Sequence, residues 1–190
     1  DHREKLLDVI EHDVRRLDRL VSDISNASRL DSELVKEEEE AFNLTKTLSN
    51  LSEYLGKQAG EKGVEFITDF PPESIVIRGL EARLAQVFVN LITNATSFCE
   101  EGDAVRVWIR RRDNRVLIVV EDTGPGIPEQ VTTQLFRPFF TTSSHGTGLG
   151  LYIAREMCIA NQAHLSYVAL PGGGACFRIR MAGVRAIQTT

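Results

Sequence analysis

Glu121-Asp122-Thr123-Gly124-Pro125-Gly126-Ile127 and Gly146-Thr147-Gly148-Leu149-Gly150-Leu151 are the two stretches whose reading decides the fold. The first ends an apolar run, Val116-Leu117-Ile118-Val119-Val120, with a carboxylate and then a Gly-Pro-Gly turn. The second opens directly into a helical pattern. Glycine adopts φ > 0 and lets the main chain come close to a bulky ligand. Amides at a helix N-terminus bind phosphate. An acid at the end of a strand can accept a hydrogen bond from an exocyclic amine. Together these parts describe a nucleotide site, with the base at one end and the phosphates at the other. Either glycine cluster alone reads equally well as a surface turn.

Two further stretches strengthen the pair. Upstream lies Gln86-Val87-Phe88-Val89-Asn90-Leu91-Ile92-Thr93-Asn94-Ala95, with two Asn four apart on one helix face. Between the glycine clusters lies Leu135-Phe136-Arg137-Pro138-Phe139-Phe140-Thr141-Thr142. In this order the four stretches resemble the N, G1, F and G2 boxes of the sensor histidine kinase catalytic domain, of the Bergerat ATP-binding fold. The resemblance runs roughly from Phe42 to Met181. It implies an α+β fold, a two-layer α/β sandwich whose mixed sheet is covered by helices. It also implies ATP and Mg²⁺ as ligands. Asn94 would coordinate Mg²⁺ and Asn90 would lie beside the transferring phosphate. Asp122 would bind the adenine amino group, directly and through a water, with Gly124, Gly126 and Ile127 close to the base. Gly146, Thr147, Gly148, Leu149, Gly150 and Leu151 would line the phosphates, the glycine amides facing the β- and γ-phosphoryl groups. Phe140, Thr141 and Thr142 would belong to a lid.

The residue at 90 separates two chemistries. ATP-hydrolysing relatives of the gyrase and chaperone type carry a Glu there as general base. Asn cannot accept a proton near neutral pH, so it cannot activate water in that way. The chain is therefore expected to transfer phosphate to a supplied nucleophile rather than hydrolyse ATP quickly. Phe136, Phe139 and Phe140 read as a lid hinge, a role that does not exclude core packing. The lid is short, Thr141 to His145. It resembles that of nitrogen-regulatory and type IV pilus sensor kinases, which carry a basic residue where Ser143 stands. His145 is a partial substitute or simply solvated. Residues 11–128 are similar to envelope-stress, acid-sensing kinases and residues 135–170 to pilus-regulating ones, which suggests a natural mosaic or an engineered swap.

Residues 1–34 read as one long helix with Leu6, Ile10, Val14, Leu17, Leu20, Val21, Ile24 and Ala27 on a common stripe. Such a stripe must be buried somewhere, and self-association is the preferred reading. The resemblance makes this the second helix of the dimerisation and phosphoacceptor hairpin. The expected division is 1–38 for dimerisation and 42–184 for the ATP-binding domain, with Glu37-Glu38-Glu39-Glu40 between them. His12-Asp13-Val14-Arg15-Arg16-Leu17 imitates the start of an acceptor motif but has Leu17 where proline belongs, so His12 reads as a surface residue. Beyond the helix, the pattern predicts helices at 43–60, 80–99 and 148–162. It predicts strands at 64–67, 75–77, 104–112, 115–122, 165–170 and 175–181. Arg110-Arg111-Arg112 is expected at the solvent end of a hairpin.

The formal net charge of −5 argues against a nucleic-acid surface. Cys99, Cys158 and Cys176 lack metal spacing and read as free thiols in a reducing compartment. No apolar run reaches ~18 residues, so any membrane attachment is expected through a segment outside this chain, with this part cytosolic. Asp1-His2-Arg3 starts in mid-helix, as in a piece of something longer. The expected partners are a second copy, through the N-terminal helix, and a response regulator receiver domain. The rival readings are a nucleotide-binding module without kinase activity that regulates another kinase, and a serine-directed anti-sigma kinase.

Overall fold

The computed structural model describes residues 2–33, 38–143 and 146–182. Its elements, in chain order, are α1 (His2–Glu33), β1 (Glu40–Asn43), α2 (Leu44–Glu61), β2 (Glu65–Asp69), β3 (Val76–Gly79) and α3 (Glu81–Phe98). There follow β4 (Ala104–Arg112), β5 (Arg115–Asp122), α4 (Glu129–Thr132), α5 (Gly150–Ala160), β6 (Ala163–Ala169) and β7 (Ala175–Ala182).

Five strands make one mixed sheet in the order β2-β4-β5-β7-β6. β2 runs parallel to β4, and the other pairs are antiparallel. Side chains alternate across a strand, so each strand gives one face to the core. Val105, Val107 and Ile109 on β4, Val116, Ile118 and Val120 on β5, and Phe177 and Ile179 on β7 are buried on that face. Helices α2, α3 and α5 cover it with Leu44, Leu48 and Leu55, with Leu84, Phe88, Leu91 and Ile92, and with Ile153, Ala154 and Met157. This is the expected α+β sandwich: helices on one face of a mixed sheet.

The other face of the sheet carries charged side chains around Trp108 and the buried Val119. Arg106 and Arg110 flank the Trp108 ring, their guanidinium carbons 5.9 and 5.6 Å from its centroid. Both also reach Asp69 on β2, at 2.9 and 2.6 Å. Arg110 first, and then Arg106, hold the Asp69 carboxyl below the usual carboxylate range. Arg110 therefore ties β4 to β2 from its exposed place near the end of the β4–β5 hairpin, where the sequence reading put it.

Three local differences from the sequence reading have physical causes. Strand β1 was not anticipated. Glu40–Asn43 pairs with Val76–Gly79, and that long-range antiparallel partner leaves no local signature. Helix α5 begins at Gly150 rather than Gly148, because Gly148 has φ +76 and cannot enter a right-handed turn. It ends at Ala160, because Gln162 takes φ +56. The short α4 was also missed.

Helix α1 divides its apolar stripe. Leu6, Ile10, Val14, Leu17, Val21 and Ile24 are exposed. Leu20 and Ala27 are half-buried against the hydrophobic core. The side chains of Leu30 and Asp31, and residue Glu37 of the acidic run, lie outside the described residues.

One buried amide locks two helices. Asn161, just past α5, accepts the Leu80 N–H at 2.8 Å and donates to the Met157 carbonyl at 2.9 Å. Gly79 leaves room for it, since a Cβ there would stand 2.7 Å from Asn161 Oδ1. Asn161→Ala leaves the Leu80 amide without its partner, an expected cost of ~1–3 kcal/mol. Urea unfolding should show the midpoint fall with unchanged slope. An unaltered midpoint would mean that the bond contributes nothing.

Candidate functional site

Helix α3 carries Asn90 and Asn94 on one face, one turn apart. Asn90 is held at both ends of its amide. Gln86 Nε2 donates to its Oδ1 at 2.7 Å, and its own Nδ2 donates to the Gly150 carbonyl at 3.1 Å. The bond brings the first residue of α5 against the middle of α3. Asn94 is half-buried and takes part in none of these bonds.

Toward the C-terminus of α3 lies the second part. Asp122 ends β5 and is only 6% exposed. The Gly124 N–H donates to its Oδ1 at 2.9 Å, and the Ala175 N–H also bonds the carboxylate. Burial pushes the Asp122 carboxyl above the usual range and nearby Asp103 adds to this, while the two amides pull the other way. A Cβ on Gly124 would stand 3.2 Å from the Phe98 carbonyl oxygen, so the turn is seated on the end of α3. From Asn90 to Phe98 is eight residues, about 12 Å along the helix axis. The acid and the glycine loop are thus set apart along one helix, on the scale of an extended nucleoside triphosphate.

Glycine is required at two places here. Gly148 has φ +76, and a Cβ there would be 2.4 Å from the Phe139 carbonyl carbon. The glycine loop therefore rests on the main chain of the lid hinge, where Phe139 itself has φ +64. Gly174 has φ +87, and its Cβ would lie 2.0 Å from the Asp122 carbonyl oxygen. Gly174 and Ala175 support the acid from the β6–β7 turn. In the sequence, the three glycines Gly172-Gly173-Gly174 between two predicted strands were the available sign of a close approach.

The remaining expected residues fall as follows. Gly126 packs on Gly174, whose carbonyl oxygen would be 3.0 Å from a Cβ at 126. The 140–143 segment turns back on itself: Ser143 N–H donates to Thr141 Oγ1 at 3.1 Å, and Gly146 N–H to the Ser143 carbonyl at 3.3 Å. Phe140 is half-buried and Thr142 exposed. Leu149 is buried, and Gly150 and Leu151 start α5. Thr147 bonds Asp23 of α1, a residue the sequence reading did not select. His145 lies outside the described residues. Ile127 follows Gly126 and meets Tyr167. Its N–H bonds the Tyr167 hydroxyl, and it lines a cavity of about 730 Å³ with Phe136, Arg155 and Tyr167. None of the other expected site residues lines that cavity. Phe136 meets Phe177 edge-on, ring centroids 6.3 Å apart, so it packs as a core aromatic. Cys99 beside this site is no nucleophile: burial first, then Asp122 and Asp103, push its thiol up to about 11.

The raised Asp122 pKa has a definite sign. The native state holds this proton more tightly than the unfolded chain does. Its contribution to stability is complete below the usual carboxylate value and is lost as pH rises through the raised one. At neutral pH the buried charge is thus a burden, and Asp122→Asn keeps the acceptor for Gly124. Melting of the protein without nucleotide should give Asp122→Asn a midpoint equal to or above wild type at pH 7. The advantage should vanish near pH ~4. A variant that is less stable at pH 7 and level only in acid would contradict this account.

Comparison with known proteins agrees with this geometry. Residues 79–183 match the family described as histidine kinase-, DNA gyrase B-, and HSP90-like ATPase. The chain is 39% identical over 174 residues to the sensor protein ChvG of Rhizobium meliloti (strain 1021), covering 85% of this chain and 30% of that protein. It is 42% identical over 112 residues to the sensor protein kinase PilS of Pseudomonas aeruginosa, covering 56% of this chain and 21% of that one. The ChvG alignment takes in more of the chain than residues 11–128 could supply. Among solved structures, the catalytic domain of histidine kinase ThkA superposes with a TM-score of 0.71 at 25% identity, over 77% of this chain and 97% of that one. Full-length ShkA in complex with AMPPNP gives 0.77 at 26% identity, over 98% of this chain and 40% of that one. The match spans the Asn-bearing helix, the Asp turn and the glycine loop alike, and the chain belongs to the histidine kinase-, DNA gyrase B- and HSP90-like ATPase family, as the ATP-binding domain of a two-component sensor kinase.

Proposed function

We propose that this chain binds ATP with Mg²⁺ between α3, the Asp122–Ile127 turn and the Gly146–Leu151 loop. It would transfer the γ-phosphate to a histidine on a hairpin outside this chain, from which a receiver domain takes it. The observation that carries the reading is Asn90: an amide, bonded to Gln86 and Gly150, stands where a hydrolase needs a base. Catalysis then rests on positioning and charge neutralisation. Asp122 would accept the adenine amine. Main-chain amides of the loop and the start of α5 would meet the phosphates. Among the described residues no group of three His, Cys, Asp or Glu side chains could hold a metal. A cation here would rest on the Asn94 amide oxygen and the phosphates, a donor set that suits Mg²⁺. Bound there, Mg²⁺ would offset the phosphate charge.

Residues 1–38 would form a dimerisation segment beside an ATP-binding unit at 42–184. The exposed apolar face Leu6, Ile10, Val14, Leu17, Val21 and Ile24 supports self-association. The ThkA structure with the response regulator TrrA, at 23% identity, shares the fold. The chain spans about 30% of its first relatives' length, so the acceptor and any sensor would belong to the longer protein.

Incubation with labelled ATP and a separate acceptor hairpin tests the reading. Acid-labile label should appear on the hairpin and not on the chain alone, with slow ATP turnover throughout. ATP binding without any label on the hairpin would favour the regulatory module. Asn94→Ala should reduce transfer at least a hundredfold while leaving the melting midpoint within a few degrees, by loss of a metal ligand. Transfer at the wild-type rate would remove Asn94 from the metal site.

Leu17→Glu with Ile24→Glu places two unpaired charges in the supposed interface, which is costly. Light scattering should give a dimer for the wild type at tens of micromolar and a monomer for the variant. A monomeric wild type would refute the role of α1.

A further inference from the structure

Helix α1 meets the nucleotide loop through a carboxylate. Thr147 Oγ1 donates to Asp23 Oδ2, and the same hydroxyl lies 3.4 Å from the Leu149 N–H that precedes α5. Asp23 is half-buried there. Leu20 and Ala27, three residues before it and four after, pack on the hydrophobic core from the same helix face. The exposed apolar stripe of α1 does not take part. This one helix therefore offers a small docking face to the loop and a separate apolar face to solvent.

A helix N-terminus favours negative charge. In this structure the anion beside the start of α5, an eleven-residue helix, is the Asp23 carboxylate. A nucleotide would bring phosphate charge to the same loop. On its other side the loop is in contact with the Phe139 main chain at Gly148. Carboxylate and phosphates would then repel at short range in a partly buried place, where screening is weak.

We propose that Asp23 is a latch displaced by nucleotide: it holds α1 on the glycine loop without nucleotide, and the phosphates release it. The proposal rests on the nucleotide site described above and adds its regulation. Coupling of this kind is reciprocal, so whatever pulls α1 away tightens nucleotide binding by the same factor. A change in the packing of the exposed stripe would reach the phosphate loop through one rigid helix.

The test is titration of the chain with Mg-ATP, Mg-ADP and adenosine, in wild type, Asp23→Asn and Asp23→Ala. Asp23→Ala should bind ATP and ADP about tenfold more tightly, a common size for coupling between two sites, and adenosine unchanged. Asp23→Asn should fall between. Amide hydrogen exchange over residues 17–28 should accelerate in the wild type on adding Mg-ATP, and should already be fast in Asp23→Ala. Equal ATP affinities in all three proteins would overturn the latch alone, as would weaker binding by Asp23→Ala or a gain that extends to adenosine. Failure of all three to bind ATP or ADP would take down the nucleotide site and the latch with it.

Discussion

Two side-chain amides tie α3 to α5, and the rest of the site depends on that tie. Asn90 bonds the Gly150 carbonyl at the start of α5, and Asn161, beyond its end, bonds the Leu80 amide before α3. The pair fixes both the spacing and the sliding of the two helices. Amides suit this work because each one donates and accepts at once without carrying charge into a buried place. The Gly146–Leu151 loop is the chain's entry into α5, so its position is set by the same two bonds.

Close main-chain approaches brace the other parts of the proposed site. Gly174 touches the Asp122 carbonyl and Gly148 touches Phe139, at separations that leave no space for a Cβ. Asp122 is thereby held from the β6–β7 turn, and the Gly146–Leu151 loop from Phe139. The proposed binding residues sit on irregular segments, but rigid elements brace those segments on both sides. Asp122 pays for this with a buried carboxylate whose pKa is raised. A ligand amine facing it would recover part of that cost by hydrogen bonding to the charged form.

The two faces of the sheet have separate tasks. The inner face and its helices supply the core and hold the cleft. The outer face is clasped by Arg106 and Arg110 on Asp69, with Trp108 between them. Helix α1 stands outside this arrangement and touches the domain through Leu20, Asp23 and Ala27. The exposed apolar face and the contact with the glycine loop are therefore carried by the same helix.

The sequence by itself determined the family, most of the helices and strands, and the stretches from Asn90 to Leu151 from which a nucleotide site is proposed. Those signals are local: an Asn pair at helical spacing, an acid before Gly-Pro-Gly, and a glycine run before an apolar helix. Only the tertiary structure decided which residues support them. Strand β1 pairs with a segment more than thirty positions away, Gly174 backs Asp122 across the sheet, and Asn161 reaches Leu80 over a separation of 81. Asp23 lies 124 residues from Thr147, and nothing in the spacing of a polar helix face marks one carboxylate among many. Ile127 was assigned by its place in a motif, and only the fold sets it beside Tyr167 at the edge of a cavity. Such contacts depend on how elements cross in space, and that is set by the packing of the whole core rather than by any window of sequence.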